Sequence, residues 1–360
     1  MDEMLAASMS SAPLPRSRFA ETHPGVLLLD LHDRAGIDGY LLRRGLAEGS
    51  ELPARIESAG SGNMNLTLRV TLLNRSLILK QGRPWVEKYD HLEAPWDRTL
   101  IEGRFYEAVR DVRAVSSRLP EILDLDPHNH VLALSDVGSL GDFTTIYADG
   151  GIPAATLDEL LDWLRALGGV PIPDDRKDAF ANRAMRALNH EHIFRLPLAR
   201  DNGLDLDRIT DGLARAAEEL KADLACAARV QALGSRYLED GPSLVHGDYF
   251  PGSWMKALDG VRIIDPEFCF LGVREFDYGV MLAHLALART HADPAQRVIA
   301  ATQRERLDTA LVLNFAGVEI MRRLIGVAQL PLSHDLNTKR RLLDISRSFV
   351  LTPQAELSCW

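Results

Sequence analysis

Apolar and polar positions follow two different rhythms along this chain. The run 26–45 reads as a first helix that ends in glycine-containing turns. Between residues 54 and 81 the pattern shortens. Arg55-Ile-Glu57, Leu66-Thr-Leu-Arg-Val-Thr-Leu72 and Leu77-Ile-Leu-Lys80 have strand composition, with breaks at Gly60-Ser-Gly-Asn63 and Asn74-Arg-Ser76. Three short strands with tight turns predict an antiparallel meander. Ile101, Phe105, Val109, Val112 and Val115 then recur at helical spacing, which predicts a helix over 98–118, and 131–135 reads as a further strand.

From about Gly138 the pattern lengthens. Segments 157–167, 176–189 and 207–239 are rich in Ala, Leu, Arg and Glu and fit amphipathic helices. One hairpin interrupts them, over 253–257 and 261–264 with its turn at Asp259-Gly260, a strong short-range hairpin signal. Helices resume from about Arg274, and there is no internal repeat. The prediction is an α+β fold of two lobes: a tail over 1–20, a small antiparallel β lobe with a helix over 21–137, and a larger, mainly helical lobe over 138–360. Two such lobes leave a cleft, where small-molecule sites are commonly found.

Composition narrows the function. With 360 residues, 46% hydrophobic and 26% charged, the chain is an ordinary globular protein. Its 41 basic against 51 acidic side chains give a net charge of −10, which argues against a nucleic-acid partner. The three cysteines, Cys226, Cys269 and Cys359, are far apart, so neither a disulfide framework nor a zinc cluster is expected. That usage points to a reducing, cytoplasmic setting. No apolar run is long enough for a membrane span.

The densest chemistry flanks the predicted hairpin, with His246-Gly-Asp248 before it and Asp265-Pro-Glu267-Phe268 after it. Counting out from the turn puts Ser253 opposite Pro266 and brings Asp248, Asp265 and Glu267 to its open end. Asp265 and Glu267 offer the oxygen donors that Mg²⁺ prefers, and Asp248 is placed to align a hydroxyl and accept its proton. Metal and oriented hydroxyl together suit phosphoryl transfer. Taken singly, acidic residues beside a turn are simply solvated; the three together favour chemistry.

Other candidates carry less weight alone. Gly60-Ser-Gly-Asn63 would let the backbone approach a phosphate, although most glycine-rich turns are only turns. Lys80 ends an apolar strand and wants an anionic partner, with Glu102 one candidate; an edge lysine reaching water is the even alternative. Arg322-Arg323 lie inside the apolar run 320–326, so at least one of them turns inward unless both form surface ion pairs. His128-Asn129-His130 lacks metal-site spacing and reads as a loop, and His284 and His291 read as ordinary helix residues.

In this order the residues resemble the protein-kinase-like small-molecule kinases, a superfamily that includes aminoglycoside phosphotransferases and choline kinases. Within it they are most similar to methylthioribose kinases. The segments carrying the likeness are Gly60 to Asn65, Leu79 to Val86, Arg98 to Glu102, His246-Gly-Asp248 with Ser253, Asp265-Pro-Glu267-Phe268, Phe276-Asp-Tyr-Gly279 and Ile320 to Gly326. They run from about residue 54 to 330. The two aspartates stand 17 positions apart, at 248 and 265.

The resemblance implies a protein-kinase-like two-lobed fold and transfer of the γ-phosphate of ATP, with Mg²⁺, to a hydroxyl of a small sugar-like or polyol molecule. The favoured acceptor is 5-methylthioribose, giving its 1-phosphate in methionine salvage. Other pentoses, cyclitols or antibiotics are the alternative acceptors, and a silent nucleotide-binding protein is the alternative of another class. It makes Asp248 the catalytic aspartate and Asp265, Glu267 and Ser253 the metal ligands. Gly60, Gly62, Asn63, Lys80 and Glu102 would serve the nucleotide phosphates, and Ser135, Asp136 and Val137 would form the hinge meeting adenine. Arg322, Arg323 and Tyr249 would approach the acceptor, Asp277 would brace the catalytic loop, and the chain would form a homodimer. Methylthioribose kinases usually carry Leu-His-Thr where Tyr249-Phe250-Pro251 stands here.

Overall fold

The computed structural model describes residues 16–49, 51, 53–60, 64–138, 140–289 and 292–353. The chain divides into two compact units. The first holds the residues up to Asp111 together with Leu119–Gly138; the second holds Val112–Arg118 and everything after Gly138. The lobe boundary expected at 137/138 thus lies one residue later, and a short segment crosses over.

The first unit starts with α1 (Arg16–Thr22), whose Phe19 is fully buried against Trp85 and Trp96. The expected tail is therefore already structured before residue 20. The predicted helix over 26–45 shrinks to α2 (Arg34–Arg43), capped by Asp33, whose carboxylate accepts from Gly36 N–H. Residues before the cap are claimed by side chains. Leu27 N–H donates to Asn129 and Leu29 N–H to Gln81, whose amide donates back to Leu27 O.

The meander is present as β1 (Arg55–Ser58), β2 (Leu66–Thr71) and β3 (Ser76–Gln81). A two-stranded ribbon follows, β4 (Trp85–Val86) with β5 (Tyr89–Glu93), then α3 (Arg98–Val109). A fifth strand of the main sheet was not expected: β6 (Ile122–Asp126) pairs with β7 (Val131–Ser135), and His128-Asn129-His130 lies in the turn joining them. The sheet order is β1-β2-β3-β7-β6, all antiparallel. Alternation along β3 sends Leu77 and Leu79 into the core shared with Ile37, Tyr40 and Leu41 of α2. Lys80 falls on the opposite face.

The expected helix 98–118 is broken. Val109 closes α3 inside the first unit, whereas α4 (Arg113–Ser116) belongs to the second, where Trp163 Nε1 donates to Val115 O. The apolar period continues through the break because each unit buries its own end of it.

The second unit continues with α5 (Ile146–Asp149), α6 (Ala154–Gly168) and α7 (Arg183–His190), the last preceded by a 3₁₀ turn at Asp174–Phe180. The predicted helix 207–239 is three pieces, α8 (Leu206–Ile209), α9 (Leu213–Lys221) and α10 (Leu224–Leu238). Asp223 divides the last two by accepting from the N–H groups of Ala225 and Cys226. Four short strands follow: β8 (Ser243–Val245), β9 (Trp254–Ala257), β10 (Gly260–Ile263) and β11 (Phe270–Gly272). Then come α11 (Glu275–Leu287), α12 (Ala292–Arg304), α13 (Thr309–Ile325) and α14 (Leu336–Leu351).

Helices α11 and α13 are buried at nearly every position and form the centre of this unit. They pack closely because a Cβ on Gly279 would sit 2.7 Å from Phe315 Cβ. Among the described residues, no helix is long and apolar enough to cross a membrane.

The hairpin register differs from expectation by two residues. Gly260, at φ +120°, pairs with Ala257, so Leu258 and Asp259 form the turn and Ser253 lies opposite Ile264, not Pro266. A shift of two keeps every side chain on its predicted face.

Candidate active site

β8 leads directly into His246-Gly-Asp248, and Asp265-Pro-Glu267-Phe268 leads into β11. Val245 pairs with Phe270 at one end and Trp254 with Ile263 at the other, so both connecting stretches run side by side. Cross-links lock them. Ile264 N–H donates to Ser253 O at 3.0 Å, and His246 Nε2 bonds Ile264 O at 3.0 Å. His246 Nδ1 accepts from Asp248 N–H at 3.3 Å, which places the ring proton on Nε2.

Asp277, in the first turn of α11, accepts from His246 N–H at 2.7 Å and Gly247 N–H at 3.0 Å. Burial pushes its carboxyl up to about 7, against the pull of those two bonds. Gly247 has φ +84°, and a Cβ there would stand 2.1 Å from Phe268 O, so only glycine fits. Asn182 Nδ2 donates to Glu267 O and Cys269 O, fixing the second loop from α7's end.

Asp248 meets both arginines of α13. Its Oδ1 lies 3.9 Å from Arg322 Nη1 and 3.6 Å from Arg323 Nη2, within ion-pair range and beyond hydrogen-bond reach. Asp248 Oδ1, Arg322 Nε and Arg323 Nη2 are shut off from solvent and lack a hydrogen-bond partner. Burial raises the Asp248 carboxyl above its ordinary range, and the arginines oppose this. Glu319 accepts from Arg323 Nε at 2.6 Å and Arg322 Nη1 at 3.1 Å. It also meets His284 Nε2 at 3.1 Å, while His284 Nδ1 lies 2.6 Å from Tyr147 Oη. Burial pushes Glu319 up, but the two arginines hold it well below the usual range.

Asp265 is exposed and adopts the left-handed conformation at φ +62°, while Glu267 is buried. A non-glycine residue held there is a common mark of a functional loop. Ser253 is 2% exposed and donates through Oγ to Asp248 O at 3.0 Å, closing the loop 248–253. Among the described residues, no cluster of three or more acidic, His or Cys side chains forms a complete metal cage. Asp265 and Glu267 are hard oxygen donors of the kind Mg²⁺ takes, one or two carboxylates being enough where waters and phosphate oxygens would complete its shell.

Tyr249 is not where expected. Its ring is fully buried, stacks on Trp163 at 5.3 Å and donates its hydroxyl to Leu160 O. Its neighbour Phe250 is half-buried, with the Arg323 guanidinium 4.9 Å from its ring centroid.

In the first unit, Lys80 Nζ and Glu102 Oε2 are 2.5 Å apart and both buried, which decides between the two readings of Lys80. Tyr106 Oη donates to the other Glu102 oxygen at 3.2 Å. Gly60 has φ +75°, with open space where a Cβ would point. Gly62 and Asn63 lie outside the described residues. Ser135 N–H already donates to Glu121 O. Asp136 accepts from Arg69 at 2.7 Å, Ser76 at 2.7 Å and Gly138 N–H at 3.0 Å, pinning residues 136–138.

Glu319, His284's place in the network and Asn182 are functional contacts that the sequence pattern does not mark. A glutamate one turn before a buried Arg-Arg pair was the available signal for the first. Nothing local marked Asn182, whose partners lie more than 80 residues away.

The model of the family described as "Phosphotransferase enzyme family" matches residues 55–311, and the chain belongs to that family. Methylthioribose kinase of Exiguobacterium sibiricum is 26% identical over 77% of this chain and 80% of its own. Methylthioribose kinase 1 of Oryza sativa is 36% identical over 67% of this chain and 58% of its own. The solved structure of spectinomycin phosphotransferase bound to AMP superposes with a TM-score of 0.51 at 11% identity, covering 88% of this chain and 99% of that one. That likeness shows the protein-kinase-like fold.

Proposed function

We propose that this phosphotransferase moves the γ-phosphate of ATP to a hydroxyl of a small neutral sugar, with 5-methylthioribose as acceptor and its 1-phosphate as product. The observation that carries the reading is Asp248 Oδ1, which has no hydrogen-bond partner and lies 3.6 Å from Arg323 Nη2. A hydroxyl entering there donates to the carboxylate and accepts from the guanidinium. Asp248 thereby orients the attacking oxygen and takes its proton as the bond to phosphorus forms. The methylthioribose kinase relatives supply the acceptor.

Lys80, fixed by Glu102, supports the nucleotide phosphates, with Gly60 leaving its strand connection open to close approach. The 136–137 backbone supports adenine. Asp265 and Glu267 would hold Mg²⁺, with the lone pairs of Ser253 Oγ as a further donor. Bound there, the metal neutralises phosphate charge during transfer. Arg322 and Arg323 hold the acceptor.

The test is ATP-dependent ADP release, with and without Mg²⁺, against 5-methylthioribose, 5-deoxyribose, ribose, cyclitols and aminoglycosides. Turnover on 5-methylthioribose alone supports the reading. Preference for another hydroxyl compound overturns the acceptor and points to Phe250, which stands against Arg323. No turnover with any of them overturns the reading as a sugar kinase.

A further inference from the structure

Within the set of Asp248, Glu319, Arg322 and Arg323 the formal charges cancel. Arg322 and Arg323 contribute two positive charges, and Asp248 and Glu319 two negative ones. His284 adds none near neutrality, because burial pushes its pKa down to about 4. Glu319 is 2% exposed and accepts from Arg323 Nε and from Arg322 Nη1, a nitrogen that also lies 3.9 Å from Asp248 Oδ1. Arg323 Nη2 and Arg322 Nε remain buried donors without a hydrogen-bond partner. Arg323 is fixed further by Nη1 on Ala328 O and by Phe250 beneath its plane.

Two adjacent guanidiniums without a counter-carboxylate make an anion site. Such a site would favour sulfate, phosphate and phosphorylated sugars over a neutral sugar. It would also hold the phosphorylated product, whose new dianion forms beside the same arginines.

We propose that Glu319 is a charge-balancing positioning residue: it fixes both guanidiniums while cancelling their surplus charge, so the site takes a neutral hydroxyl compound and does not retain phosphate-bearing ones. The inference rests on the acceptor site described above. It adds that rejection of anions is built in by the carboxylate that holds the two guanidiniums in place.

Inorganic phosphate is the probe, titrated by calorimetry with the nucleotide site saturated by ADP. Glu319→Gln keeps the shape and an acceptor oxygen while leaving the cluster at +1. Phosphate affinity is expected to rise on the order of tenfold, from one uncompensated charge in a partly screened site. Phosphate should then compete with 5-methylthioribose at correspondingly lower concentration. The double variant Glu319→Gln with Arg322→Gln restores neutrality and should return phosphate affinity to the wild-type value. Glu319→Asp keeps the charge and should stay near wild type.

Unchanged or weaker phosphate binding in a folded Glu319→Gln protein would overturn the proposal, since a merely structural glutamate predicts loss and never gain. If melting shows that variant unfolded, Arg322→Gln alone decides. The balanced cluster then carries −1, and its phosphate binding must fall below wild type; equal binding overturns the idea. Calorimetry needs no turnover, so failure of 5-methylthioribose as acceptor leaves this comparison standing.

Discussion

Asp248 Oδ1 and Arg323 Nη2 face each other at 3.6 Å, and neither has a hydrogen-bond partner. An unmet buried acceptor opposite an unmet buried donor is costly, and a single hydroxyl would satisfy both. Asp248→Asn should lower turnover by roughly 10²–10⁴-fold, the usual contribution of a general base, with nucleotide affinity little changed. Equal losses in turnover and nucleotide affinity would remove Asp248 from the chemistry.

The same residue sets a pH dependence. Burial raises its carboxyl above the ordinary aspartate range, and only the ionised form accepts a proton. The acceptor kcat/KM should therefore rise with pH along one ionisation above that range and fall on acidification. A flat profile across the acid limb would count against an aspartate base.

Lys80 and Glu102 are a buried pair at 2.5 Å. Glu102→Ala leaves a buried ammonium without its carboxylate, which should cost about 3–5 kcal/mol in chemical denaturation. A loss below about 1 kcal/mol would mean that the ammonium reaches water, as exposed pairs do.

Asp277 satisfies two backbone donors of the catalytic loop. Asp277→Ala strands both, at about 1–3 kcal/mol each, and should reduce kcat more than it raises the nucleotide KM. An unchanged kcat would show that the loop holds its shape without this brace.

His284 is fully buried, and burial pushes its pKa down from 6.5 to about 4, against the pull of the Glu319 hydrogen bond and with the two arginines adding to the fall. Between those values the unfolded chain binds the proton and the folded chain does not. Stability from this group is thus complete above about 6.5 and is lost as pH falls toward 4. The drop in Tm from pH 7 to pH 5 should be larger for the wild type than for His284→Gln. Equal drops would mean that His284 is not held neutral.

Much of this arrangement was readable in the residues. Period-two alternation marks β2 and β3, and residue order marks Asp248, Asp265 and Lys80 as candidates. Local pattern failed where distant groups decide the outcome. Leu27 and Leu29 look helical but are held extended by Gln81 and Asn129. β6, with charges at Asp124 and Asp126, carries too weak an alternation to stand out without its partner β7. Tyr249 reads as an acceptor residue from its place beside Asp248, yet Trp163 draws it into the core. Glu319 became meaningful only once α11 and α13 were packed and His284 stood beside it.

The central claim is that phosphate moves onto a neutral sugar hydroxyl held at Asp248. Phosphorus NMR of ATP, Mg²⁺ and 5-methylthioribose with the wild-type protein tests it most directly. The account predicts a new sugar 1-phosphate resonance growing as the γ-phosphate signal disappears, and none with Asp248→Asn. Inorganic phosphate appearing in its place, or a sugar phosphate formed equally well by Asp248→Asn, would contradict it.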